Sequence, residues 1–138
     1  MNVVVLENSV TMRWFFDSGN HPYADSLLQD LAGQRCEAVV PILWRYEVSA
    51  VLSRALTKGW VAAKDVADFI DDLRALPIEV DVDGVKFILT DVHDLAVAYR
   101  LTTYDAAYFE LALRRSLPLA TLDAELIPAC ASAGATVL

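Results

Sequence analysis

Near the start of the chain, Val3–Leu6 is a continuous apolar run rich in β-branched side chains. A run of this kind, with no polar alternation, is typical of a strand that is buried on both faces in a parallel sheet. Parallel strands need long crossover connections, which are usually helices. The run therefore favours a fold in which helices cover both faces of a parallel sheet.

The rest of the chain alternates short apolar segments with helical patterns. Strands are predicted at Val3–Leu6, Ala38–Val40, Ile78–Val80, Leu119–Leu122 and Thr136–Leu138. Helices are predicted at Val10–Phe16, Tyr23–Leu31, Ile42–Leu56, Ala63–Leu76, Val85–Leu101, Asp105–Arg115 and Ala124–Ala133, with Ser9 as the cap of the first and a break near Leu89–Thr90 in the fifth. This order predicts an α/β fold over residues 1–138, a single domain whose parallel central sheet of four or five strands is flanked by helices (α/β/α).

Composition limits the class of protein. The chain has 138 residues, of which 56% are hydrophobic, so we expect a folded core and no extended disorder. No apolar run reaches the roughly 18 residues of a membrane span, and the N-terminus lacks the basic region of a signal peptide. Cys36 and Cys130 stand in apolar surroundings, which favours reduced thiols in a cytoplasmic protein. The net charge of −8 argues against a broad basic surface for nucleic acid.

The stretch Thr102–Asp123 combines a helix, a short strand and two carboxylates. Thr102 and Asp105 have the spacing of a capping box at the start of a helix. Tyr108 belongs to the apolar face of that helix, which leads into the fourth strand. Asp123 follows the strand directly. Taken alone, Asp105 and Asp123 are each explained as a residue that caps a helix.

Two further acids are expected at the same edge of the sheet. The carboxyl ends of parallel strands lie together, and Glu7 follows the first strand as Asp123 follows the fourth. Asp105 begins the helix that leads into the fourth strand, so it should lie over the same edge. Glu47 points along an apolar face of its helix, where an ionised carboxylate is costly unless it is paired. Its partner is either Arg54, seven positions on, or a cation shared with the other acids.

The four acids indicate a hard divalent cation. Like charges that crowd together need compensation, and Mg²⁺ prefers oxygen ligands and is held by few carboxylates together with water and substrate phosphate. Mn²⁺ suits the same ligands. The sequence offers no cysteine and histidine spacing for zinc, and His21 and His93 are expected on the surface or as caps. Such a site predicts phosphodiester hydrolysis by a water that the metal activates.

Three stretches carry a resemblance to the PIN domain, in particular to VapC-type toxins: VVVLENSVTMRWFF, PILWRYEVSAVLSRA and LTTYDAAYFELALRRSLPLATLDAEL. The resemblance covers nearly the whole chain. It implies that Glu47, Asp105 and Asp123 hold Mg²⁺ or Mn²⁺, with Glu7 in the place of the first acid. It also implies that the Thr121 hydroxyl lies near the metal-bound water.

The resemblance implies a function as well as a fold. PIN toxins of this type cleave RNA, often tRNA or ribosomal RNA, and form one component of a type II toxin–antitoxin system. The implied partners are a VapB-type antitoxin, the RNA substrate and a second copy of the chain in a homodimer. The implied activity is that of a Mg²⁺- or Mn²⁺-dependent endoribonuclease.

Glu7 departs from the family pattern, because the first acid is normally aspartate. A glutamate moves the carboxylate by one methylene, and a misplacement of about 1 Å can cost on the order of a hundredfold in rate. Two predictions therefore stay open: a nuclease weakened by Glu7, and a catalytically impaired PIN protein that acts by binding antitoxin or RNA. A phosphatase of the haloacid dehalogenase type is a third, although its second aspartate is replaced here by Ser9.

Residues near the acids are candidates for binding partners. Arg13, Trp14 and Arg45 could line a groove for RNA by phosphate pairing and stacking. The alternative is that the arginines are solvated and Trp14 belongs to the core. The helices at Trp44–Leu56 and Tyr23–Leu31 are candidates for a groove that accepts an amphipathic antitoxin segment.

Overall fold

The computed structural model describes residues 2–138 and contains one four-stranded parallel sheet. The strands are β1 (Asn2–Leu6), β2 (Cys36–Pro41), β3 (Ile78–Asp81) and β4 (Leu119–Ala120), and their order in the sheet is β3-β2-β1-β4. The predicted α/β class and the parallel central sheet are confirmed.

Seven α-helices flank the sheet in the part of the chain that the structure describes. They are α1 (Asn8–Phe16), α2 (Pro22–Ala32), α3 (Ile42–Thr57), α4 (Ala63–Ala75), α5 (His93–Tyr99), α6 (Thr103–Arg115) and α7 (Leu126–Ala133). A 3₁₀ turn at Asp83–Phe87 and a π-helical turn at Ile88–Val92 lead into α5.

The predicted burial of the first strand is confirmed. Val5 lies at the centre of the sheet, where it pairs with Val39 on one side and Leu119 on the other. Val4, Val5 and Leu6 have exposed fractions of 2% or less. Burial of such side chains contributes about 1.5–3 kcal/mol each, so this strand stabilises the core strongly.

Two predicted elements have a different form in the structure. The last predicted strand is reduced to a single bridge between Leu119 and Val137, because β4 itself is only two residues long. The segment predicted as helical over Val85–Leu101 is helical, but it is divided into the 3₁₀ turn, the π-helical turn and α5, and α5 ends at Arg100 in a left-handed conformation (φ 55°). The break expected near Leu89–Thr90 falls within the π-helical turn.

Two helix starts also differ from the prediction, for a reason that concerns the acids. Glu7, rather than Ser9, caps α1, and the helix therefore begins at Asn8. α7 begins at Leu126, because Asp123 Oδ1 accepts hydrogen bonds from the backbone N–H groups of Glu125 (2.8 Å) and Leu126 (3.2 Å). The carboxylates thus shape the turns that follow β1 and β4.

Candidate functional site

The structure places the four predicted acids around the carboxyl end of the sheet. Glu7 follows β1 and Asp123 lies three residues beyond β4, and these two strands are neighbours in the sheet. Asp105 lies in the first turn of α6, where Thr102 caps the helix as predicted. Glu47 lies on α3. We refer to Glu7, Glu47, Asp105 and Asp123 as the acidic cluster.

Glu7 is buried and held by three hydrogen bonds. Its exposed fraction is 5%. Oε1 accepts from the hydroxyls of Ser9 (2.5 Å) and Thr121 (2.6 Å), and Oε2 accepts from the backbone N–H of Ser9 (2.8 Å). Both carboxylate oxygens therefore already have protein partners.

Thr121 and Ser9 connect the turn after β1 with the turn after β4. The Thr121 hydroxyl donates to Glu7 and accepts from the backbone N–H of Asp123 at 3.0 Å. The Ser9 hydroxyl donates to Glu7 and accepts from the backbone N–H of Leu122 at 2.9 Å. Each hydroxyl thus uses both its donor and its acceptor, which fixes the first and last acids relative to each other.

Glu47 does not pair with Arg54, which was one of the two partners that the sequence left open. No ion pair joins these two residues within the described chain. Glu47 Oε1 instead accepts a hydrogen bond from the hydroxyl of Tyr108 on α6 at 2.5 Å. Burial raises the pKa of Glu47, the Tyr108 hydrogen bond lowers it, and the charges of Glu7 and Asp105 raise it further, with a net rise.

Asp105 has the clearest electrostatic perturbation in the acidic cluster. Burial raises the pKa of its carboxyl to about 6, and the negative charges of Asp123 and Glu7 add to that rise. The hydrogen bond with Thr102 opposes it. Since burial and several like charges act on this carboxyl, its environment favours a bound proton or a nearby cation.

A metal site is not fully assembled in this arrangement. Within residues 2–138, no three acidic, histidine or cysteine side chains converge closely enough to hold a metal ion. The donors nevertheless fit Mg²⁺ or Mn²⁺ chemically, because all are oxygens. Burial, together with the charges of neighbouring acids, raises the pKa of the Glu47 and Asp105 carboxyls. Mg²⁺ also needs few protein ligands, since it keeps several waters.

Trp14 and His21 have structural roles that the sequence analysis named as alternatives, and Arg13 forms an ion pair. Trp14 is a core residue with an exposed fraction of 4%, and its indole N–H donates to the carbonyl of Ala24 at 2.7 Å. Arg13 pairs with Asp17 at 2.7 Å. His21 caps α2 through Nδ1, as one of its two predicted roles.

The two cysteines are free and buried, as expected for reduced core thiols. No helix among the described residues is long and apolar enough for a membrane span.

Tyr108 is a site residue that the sequence analysis did not identify. It was assigned to the apolar face of its helix, and its ring is fully buried. A signal was present, because Tyr108 lies three positions after Asp105 and residues with this spacing share a helix face. A buried tyrosine hydroxyl needs a hydrogen-bond partner, and the nearby acids offered one.

A second charged network lies outside the acidic cluster. Arg114 donates to Asp81 at 2.5 Å and to Glu110 at 2.6 Å, and Arg115 also donates to Asp81 at 2.9 Å. Asp81 and Glu110 are buried, with exposed fractions of 2% and 4%. The contacts of the two arginines join α6 to the end of β3.

The chain is similar to known proteins both in sequence and in fold. The sequence matches the PIN domain family over residues 4–130. No curated protein matches it. Among solved structures, the fold is similar to PAE2754 from Pyrobaculum aerophilum, with 21% identity and a TM-score of 0.68 over 93% of this chain and 79% of that one. It is also similar to VapBC2 from Rickettsia felis bound to a DNA fragment from their promoter, with 12% identity and a TM-score of 0.67 over 99% and 96% of the two chains. The family match covers most of the sequence, so the chain belongs to the PIN domain family.

Proposed function

We propose that this chain is a Mg²⁺- or Mn²⁺-dependent endoribonuclease and the toxin component of a type II toxin–antitoxin pair. The observation that supports the proposal most is the position of the four acids around the carboxyl end of the sheet, where burial and the charges of Asp123 and Glu7 raise the pKa of Asp105. Family membership adds to it, because PIN domains are generally nucleases. Membership of the PIN family also favours a nuclease over a phosphatase of the haloacid dehalogenase type.

In this proposal, Glu7, Glu47, Asp105 and Asp123 supply the oxygens that hold the cation, directly or through water. The bound ion would supply an activated water and stabilisation of the leaving oxygen. Thr121 and Ser9 hold Glu7 and Asp123 in fixed relative positions through the hydrogen bonds described above. The substrate phosphate would neutralise the ion on its open side, which lets an acidic chain bind RNA locally.

The hydrogen bonds of Glu7 support the proposal that the nuclease activity is weakened. The Glu7 carboxylate oxygens already accept bonds from Ser9 and Thr121, so ligation of a cation must compete with these bonds. The same observation supports the alternative that the chain is a catalytically impaired PIN protein whose role is to bind antitoxin or RNA. The two proposals differ in one measurable property, which is the cleavage of RNA.

A VapB-type antitoxin is the proposed protein partner. The similar Rickettsia felis structure is a VapBC complex, which supports this choice. A groove of about 400 Å³ lies between α3 and α4, lined by apolar side chains such as Trp44, Val48 and Ile70. It involves the predicted Trp44–Leu56 segment but not the helix at Tyr23–Leu31.

A homodimer and a cytoplasmic location complete the proposal. Exposed apolar side chains support self-association, and three of them, Val82, Leu89 and Val97, follow β3 with exposed fractions of 69%, 89% and 67%. The free thiols of Cys36 and Cys130 are compatible with a reducing compartment.

The test is cleavage of a mixture of tRNA and ribosomal RNA by the purified chain, with Mg²⁺, with Mn²⁺ and with a chelator. We expect metal-dependent cleavage that Asp123→Asn abolishes. Asp72→Asn, at an exposed position of α4, is the matched control and should leave cleavage unchanged. Cleavage that persists in the chelator would contradict the proposed mechanism, and RNA binding without cleavage under all conditions would favour the impaired alternative.

A further inference from the structure

We propose that Tyr108 is a positioning residue that sets the place of Glu47 for the divalent cation. The structure shows a fully buried phenol whose hydroxyl donates to Glu47 Oε1 at 2.5 Å. The two residues are 61 positions apart in the sequence, so this hydrogen bond joins α6 to α3. Tyr108 has this role only if the site takes up a cation, and the proposal therefore rests on the proposed function.

The position of Tyr108 on its helix explains why it can act in this way. Asp105 and Tyr108 are one turn apart on α6. The helix therefore carries one acid of the cluster directly and controls a second acid through the tyrosine hydroxyl. The separation between the carboxylates of Asp105 and Glu47 depends on a rigid helix rather than on the packing of α3 alone.

The hydrogen bond restrains a side chain that would otherwise be mobile. A glutamate has three rotatable side-chain bonds, whereas the buried tyrosine ring is fixed by the core around it. The bond uses Oε1 of Glu47, and within residues 2–138 its Oε2 accepts no hydrogen bond. One oxygen is thus held by the protein and the other remains for a ligand. Groups that orient a metal ligand in this way typically contribute 10- to 100-fold to metal affinity.

A purely structural role is the competing explanation. In that case the hydroxyl of Tyr108 donates to Glu47 only because a buried phenol requires an acceptor. Loss of the hydroxyl would then lower the stability of the fold without a specific effect on the way Glu47 meets a cation.

The experiment measures Mn²⁺ binding by calorimetry for four proteins: the wild type, Tyr108→Phe, Glu47→Gln and the double variant. Tyr99→Phe is the matched control, because it removes the same hydroxyl from a half-buried tyrosine on α5 whose ring packs against Phe109. Circular dichroism and thermal unfolding of the metal-free proteins show whether each variant is folded. Tyr108→Met, whose flexible apolar side chain fills much of the same volume, replaces Tyr108→Phe if that variant does not fold.

We expect Tyr108→Phe to weaken Mn²⁺ binding about 10- to 100-fold while Tyr99→Phe has no effect. In the Glu47→Gln background the same change should cost little further affinity, because Tyr108 acts through Glu47. Equal losses in both backgrounds, or no loss in the wild type, would overturn the proposal. If the wild type binds no Mn²⁺, the result contradicts the proposed function. The positioning role of Tyr108, which rests on that function, is then overturned as well.

Discussion

The hydroxyl of Thr121 donates a hydrogen bond to Glu7 Oε1 across 2.6 Å, although the two residues are 114 positions apart in the sequence. Thr121 follows β4 and Glu7 follows β1, so this contact joins the ends of two neighbouring strands. Both side chains are buried. The contact sets where the negative charge of Glu7 lies and therefore bears on stability and on cation binding together.

Replacement of Thr121 by valine tests this contact. Thr121→Val keeps the shape of the side chain but removes the donor to Glu7 and the acceptor for the Asp123 N–H. We expect a loss of about 1–3 kcal/mol in the free energy of unfolding, because buried groups lose their partners. We also expect weaker Mn²⁺ binding, because the turn that carries Asp123 is no longer fixed to Glu7, and this loss outweighs the gain from a freed Glu7 oxygen. Chemical denaturation and calorimetry measure the two effects.

Thr11→Val is the control for Thr121→Val. Thr11 is fully buried and accepts a hydrogen bond from the indole N–H of Trp44 at 3.0 Å, outside the acidic cluster. Thr11→Val should lower the free energy of unfolding about as much as Thr121→Val does, and it should leave the Mn²⁺ affinity unchanged. If the two variants bind Mn²⁺ equally well, Thr121 has a structural role alone.

Replacement of Glu7 by aspartate should increase activity. The shorter side chain withdraws the carboxylate from the Thr121 hydroxyl and makes an oxygen available to the cation. We expect RNA cleavage to rise by up to on the order of a hundredfold, as for the correction of a displacement of about 1 Å. Glu37→Asp, the same change at an exposed position on β2, should leave cleavage unchanged. No gain from Glu7→Asp in either cleavage or Mn²⁺ affinity would favour the impaired alternative.

The raised pKa of Asp105 predicts how the stability of the metal-free protein depends on pH. The carboxyl titrates near 6 in the folded state against an ordinary value of 3.8, so between these values the folded protein binds more protons than the unfolded chain. Stability must then fall as pH rises through this range. Thermal unfolding at pH 5 and pH 7 should give a lower midpoint at pH 7.

Asp105→Asn tests the origin of that dependence. The amide cannot ionise, so the variant should show a smaller decrease from pH 5 to pH 7 and a higher midpoint than the wild type at pH 7. Asp72→Asn, at an exposed position on α4, should retain the dependence of the wild type. An unchanged pH profile in Asp105→Asn would show that other groups cause it.

The charged network around Asp81 predicts a large loss of stability on its disruption. Arg114→Met removes the donor to Asp81 and Glu110, and also the guanidinium that lies 5.0 Å from the centre of the Phe87 ring. Two buried acids then lose a partner, although Arg115 still contacts Asp81. We expect a loss of about 3 kcal/mol in the free energy of unfolding. Arg74→Met, which breaks an exposed pair with Asp71, should cost less than about 1 kcal/mol.

The same network has its own pH dependence, of opposite sign to that of Asp105. Burial opposes ionisation of Asp81, but the hydrogen bonds and charges of Arg114 and Arg115 outweigh it and hold the pKa of that carboxyl below 3.8. The stabilisation is present above 3.8 and is lost as pH falls below it. Acid unfolding below pH 4 should therefore be less steep in Asp81→Asn than in the wild type. Equal steepness would contradict this assignment.

Periodicity predicted the strands and most helices because their apolar side chains repeat with the geometry of the element. Val3–Leu6 and the alternation after it were sufficient for the parallel sheet. The division of the helical segment after β3 into 3₁₀, π and α turns was not predicted, because the start of that segment depends on polar contacts. Gly84 donates its N–H to the buried Asp81 at 3.0 Å, a contact that hydrophobic periodicity does not indicate.

The acids themselves were predictable from topology, but their individual partners were not. The positions of Glu7 and Asp123 after two strands indicated a shared edge before any contact was known. The choice between Arg54 and another partner for Glu47 depended on how α3 packs against α6, which the sequence of α3 does not specify. The Glu7 bonds with Ser9 and Thr121 likewise depend on the turns that follow β1 and β4.

Calorimetric titration of Mn²⁺ into the wild type and Asp123→Asn tests the central claim most directly, since the claim is that the acidic cluster holds a divalent cation. The account predicts saturable binding by the wild type that Asp123→Asn weakens strongly, together with an increase in the thermal midpoint of the wild type on addition of metal. Absence of binding by the wild type, or equal binding by both proteins, would contradict the account and leave Glu7 and Asp123 as helix caps.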